Sequence, residues 1–85
     1  MTNVDIITRD INGLKTQNHF IDWYEAYKFA LDQLDKNSSD EILLIFINGS
    51  CVYSLFSTIE PVNWEDIIGF LLNYRRFYLW LGLYL

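Results

Sequence analysis

Cys51 and His19 are the residues of this sequence whose types could support nucleophilic catalysis, with Asp22 three places after the histidine as a group that could orient it. A thiol works as a nucleophile when a base lies within hydrogen-bond reach and a third group fixes that base. The sequence gives each residue a simpler use. Cys51 falls inside an expected strand beside Val52, where a free cysteine serves as a small core hydrophobe. His19 stands just ahead of an expected helix cap, a surface or capping position.

Other chemistries fare no better. A structural zinc site takes about four Cys or His ligands, and the chain has only Cys51 and His19. Asp32, Asp35, Asp40 and Glu41 flank a turn but lack the alternating oxygen ligands and internal glycine of a calcium loop. Glu65 and Asp66 open a helix, where the helix dipole accounts for them without acid or base catalysis. Four scattered glycines make no phosphate-binding loop. The sequence therefore predicts a protein that is not an enzyme and needs neither cofactor nor metal.

The elements that position these residues follow from periodicity and turn chemistry. Asn12-Gly13 between Ile6-Ile7-Thr8 and Leu14-Lys15-Thr16 predicts a hairpin with a two-residue type I′ turn, in which Ile11 faces Leu14 and Asp10 faces Lys15. Asp22 followed by Glu25 has the form of a capping box, and a helix is expected from Trp23 to about Leu34. At about 100° per residue, Trp23, Tyr27, Ala30, Leu31 and Leu34 share its core face, with Tyr24 at the edge; Glu25, Lys28 and Asp32 point away. Residues 36–40 form a polar loop.

Residues 41–47 and 50–56 around Asn48-Gly49 give a second hairpin. Ile42 to Ile47 are apolar throughout, as in a central strand, and alternation in the next strand turns Val52 and Tyr53 to opposite faces. Asn63 is the expected N-cap of a second helix carrying Trp64, Ile67, Ile68, Leu71 and Leu72 on one face. That helix is expected to end near Tyr74, because continuing it would bury Arg75. Residues 77–85 alternate as a strand would. The expected fold is a single α+β domain over residues 1–85: an antiparallel sheet of three to four strands with two helices on one face, in ββαββα order. A ferredoxin-like βαββαβ order is the alternative, if the first hairpin is one strand and the tail another.

Length and composition set the class. Eighty-five residues, 52% hydrophobic and 18% aromatic, supply one core and no second domain. Eleven acidic against six basic residues give a net charge of −5, which opposes direct binding to nucleic-acid phosphates or anionic lipid. Residues 22–41 carry six acids and two lysines, whereas residues 67–85 carry only Arg75 and Arg76. These arginines, mid-segment, argue against a membrane span, each costing about 2.5 to 3.5 kcal/mol. A lone cysteine and an N-terminus unlike a secretory signal imply a cytoplasmic protein. Residues with AT-rich codons (Phe, Tyr, Met, Ile, Asn, Lys) number 33 and those with GC-rich codons (Gly, Ala, Arg, Pro) 10, the signature of a low-GC bacterium or its phage.

In size, charge and composition the chain resembles the small host-takeover or anti-defence proteins of phages, a likeness that assigns no residue a role. Its implication is a non-enzymatic module that binds a basic, nucleic-acid-handling host protein. The expected contact is the outward side of the first helix: Phe29 as an aromatic anchor among Asp22, Glu25, Asp32 and Asp35. The alternative is a homo-oligomer, such as a dimer joined through the apolar residues 77–85.

Overall fold

The computed structural model describes residues 3–57 and 61–73 of the chain. β1 (Val4–Arg9) alternates buried and half-buried positions, as a strand does when one face lies on the core. It pairs antiparallel with β2 (Lys15–Phe20) on one side and β3 (Glu41–Ile47) on the other, and β3 pairs with β4 (Ser50–Ser54). The sheet order is β2-β1-β3-β4. β2 and β3 thus run the same way with β1 between them, and α1 (Trp23–Asp35) is the crossover. After a short 3-10 turn at Leu55–Ser57, a second helix, α2, occupies residues 64–73.

This is the expected α+β class. Residues 4–20 form two strands, which removes the premise of the ferredoxin-like alternative. One core joins Val4, Ile6, Ile42, Ile45 and Ile47 of the sheet to Ala26 and Ala30 of α1 and Trp64, Ile67 and Leu71 of α2. Each large aliphatic side chain taken out of water there contributes about 1.5 to 3 kcal/mol. Thr8, the buried polar residue of the sheet, is met by the Asn18 side-chain amide, which also donates to the Ile6 carbonyl at 3.0 Å.

Both N-caps fall where expected, but the reciprocal capping box expected of Asp22 and Glu25 forms at the second helix instead. The Asp22 side chain accepts from the Tyr24 backbone N–H at 3.1 Å. Asn63 and Asp66 cap α2 reciprocally: Asn63 Oδ1 accepts from the Asp66 N–H at 2.9 Å and Asp66 Oδ2 from the Asn63 N–H at 3.0 Å.

Three further local expectations are corrected. Asn48-Gly49 is a two-residue turn with both residues at positive φ, 51° and 83°, linking Ile47 to Ser50. At Asn12-Gly13, by contrast, only Gly13 is at positive φ, and the Asp10 carboxylate accepts the N–H groups of Asn12 and Leu14, both at 2.9 Å. That side chain holds a three-residue loop in which Asp10 faces Leu14 and Arg9 faces Lys15. The like charges are tolerated because Arg9 pairs with Glu41 on the neighbouring strand.

In β4 the register shifts so that Tyr53 faces Ile45 and Cys51 faces Phe46, leaving Val52 as the extra residue. Val52 and Tyr53 therefore both pack against the core, and Cys51 is exposed rather than a core hydrophobe. The third correction is the rotation of α1 described below. The expectations of a helix end near Tyr74 and of a strand or dimer contact at 77–85 lie outside the described residues. No helix among the described residues is long and apolar enough to cross a membrane.

Candidate functional site

The sheet register decides whether Cys51 and His19 can cooperate. His19 lies opposite Asp5, Asp5 opposite Phe46, and Phe46 opposite Cys51. The four residues form one row across the sheet, but with strands about 4.8 Å apart the outer two are roughly 14 Å from each other. His19 instead places Nδ1 2.7 Å from Asp5 Oδ1, which also accepts from the Gln17 amide at 3.3 Å. Asp22, on the helix side, is not the partner of the histidine. Among the described residues no group of three or more His, Cys, Asp or Glu side chains is placed to hold a metal ion.

The first helix carries the remaining candidates. Asp22, Glu25, Asp32 and Asp35 are all exposed, and Asp32 forms an ion pair with Lys36 at 2.8 Å. Phe29 does not stand bare among them. Its ring centroid lies 5.1 Å from that of Phe20 and 5.6 Å from that of Trp64, the latter edge-on at 81°, and the half-buried side chain packs against the core. The expected exposed anchor is thus corrected.

The cause is a rotation of the buried stripe. Ala26 and Ala30 are fully buried and belong to the core shared with the sheet and α2. The larger rings of Trp23 and Phe29 pack partly buried against the same core, on either side of this stripe. The sequence-based face centred on Trp23 and Leu31 is displaced accordingly, and Leu34 and Tyr24 are exposed at 39% and 53%.

Tyr24 is the residue that sequence reasoning missed. It borders the acidic stripe, with the Lys28 ammonium 5.2 Å from its ring centroid. Beneath it Trp23 and Tyr27 stack at 5.2 Å and 10°, and Tyr24 lies 6.5 Å from Tyr27, which supports its ring from below. The spacing of Ala26 and Ala30 one helical turn apart was the available signal that the buried face centres there.

No protein-family model, no curated protein and no solved structure matches this chain. The site therefore has to be read from its own chemistry. The exposed side of α1 combines the carboxylates of Glu25, Asp32 and Asp35 with the supported ring of Tyr24. It has the components of a contact surface: charge for steering, and a ring of low conformational entropy to bury.

Proposed function

We propose that this protein is a small, acidic, non-enzymatic binding module that docks through the exposed side of α1 on a basic protein surface, such as one built to handle nucleic acid. The observation that carries this reading is the common exposure of Glu25, Asp32 and Asp35 beside Tyr24, which is 53% accessible. A net charge of −5 reinforces attraction to a basic partner and opposes phosphate backbones. Phe29 leaves the contact set because its ring is engaged with Phe20 and Trp64, and Tyr24 takes its place as the aromatic contact. In a phage or mobile element of a low-GC host, such a module would act as an inhibitor or regulator by covering the basic surface.

The test is capture of a partner from a low-GC bacterial lysate, repeated with the purified partner. The double variant Glu25→Lys, Asp32→Lys should weaken binding by about tenfold or more, and Tyr24→Ala by a smaller factor; raising the salt from about 0.05 to 0.5 M should weaken the unmodified complex. Binding unchanged in both variants removes this face as the contact.

A further inference from the structure

No further inference is drawn: the strongest candidate, the open groove of about 330 Å³ between β4 and α2 lined by Val52, Tyr53, Val62, Ile67 and Phe70, is an apolar surface for which nothing among the described residues shows what covers it.

Discussion

The indole N–H of Trp23 donates a hydrogen bond of 2.7 Å to the backbone carbonyl of Leu71. It ties the first turn of α1 to α2 directly, in addition to the shared core beneath. Stacking on Tyr27 at 5.2 Å holds the indole plane in place for that bond. The acidic side of α1 is therefore presented on a helix fixed at its start by an N-cap and a side-chain tether.

Trp23→Phe removes the donor while keeping an aromatic ring against Tyr27. The expected loss of stability is about 1 to 2 kcal/mol, the range for leaving a partly buried carbonyl without its partner. A urea titration followed by circular dichroism measures it. A variant as stable as the parent would mean that the tether contributes nothing to the packing of the helices.

Phe29 and Tyr24 should separate cleanly in the same assay. Phe29→Ala strips a ring from between Phe20 and Trp64 and is expected to cost about 2 to 3 kcal/mol, somewhat less than truncating a fully enclosed phenylalanine. Tyr24→Ala loses an exposed ring, its contact with Lys28 and its ring neighbours Tyr27 and Trp23, for about 1 kcal/mol. The reverse order would restore Phe29 to the surface and put Tyr24 in the core.

What the sequence made legible is what depends on neighbours in the chain. The Asn12-Gly13 pair between two short flanks, the apolar run of β3, and the N-caps at Asp22 and Asn63 are local signals, and each element formed where it was expected. What was hidden depends on contacts distant in sequence or on one competing side chain. The buried face of α1 centres on Ala26 and Ala30, whose small side chains are a weak signal beside the large residues Tyr24, Leu31 and Leu34. The packing of both Val52 and Tyr53 on the core follows from a bulge opposite Ile45 and Phe46, which no alternation within β4 announces, whereas Cys51 lies opposite Phe46 as the two-residue turn dictates. The acidic residues of the candidate site were legible because charge alone puts them in water; the place of Phe29 was not, because its partners come from β2 and α2.

The two Asn-Gly pairs give a sharper test of local chemistry. Asn48 sits at φ 51° and exchanges two hydrogen bonds with the Asn3 backbone, donating its N–H at 2.8 Å and accepting on Oδ1 at 3.0 Å. Asn48→Ala should therefore cost about 1 to 2 kcal/mol, because alanine tolerates positive φ less well than asparagine, whose short polar side chain bonds locally, and because the side-chain acceptor is lost. Asn12 is free of both demands, since Asp10 organises its loop, and Asn12→Ala should change stability by less than about 0.5 kcal/mol. Equal losses in chemical denaturation would show that the two loops are the same kind of turn after all.

Cys51 offers a check on the register of β4 that needs no denaturant. Because Cys51 is exposed, opposite Phe46, its thiol should react with a disulfide reagent in the folded protein at a rate within several-fold of that in the unfolded chain. His19→Ala should leave that rate unchanged, since three strand spacings, roughly 14 Å, separate the two side chains. Labelling slowed by orders of magnitude in the folded state would place the thiol back in the core and Val52 outside it. A rate that fell with the histidine substitution would mean that the strand order across the sheet differs from β2-β1-β3-β4.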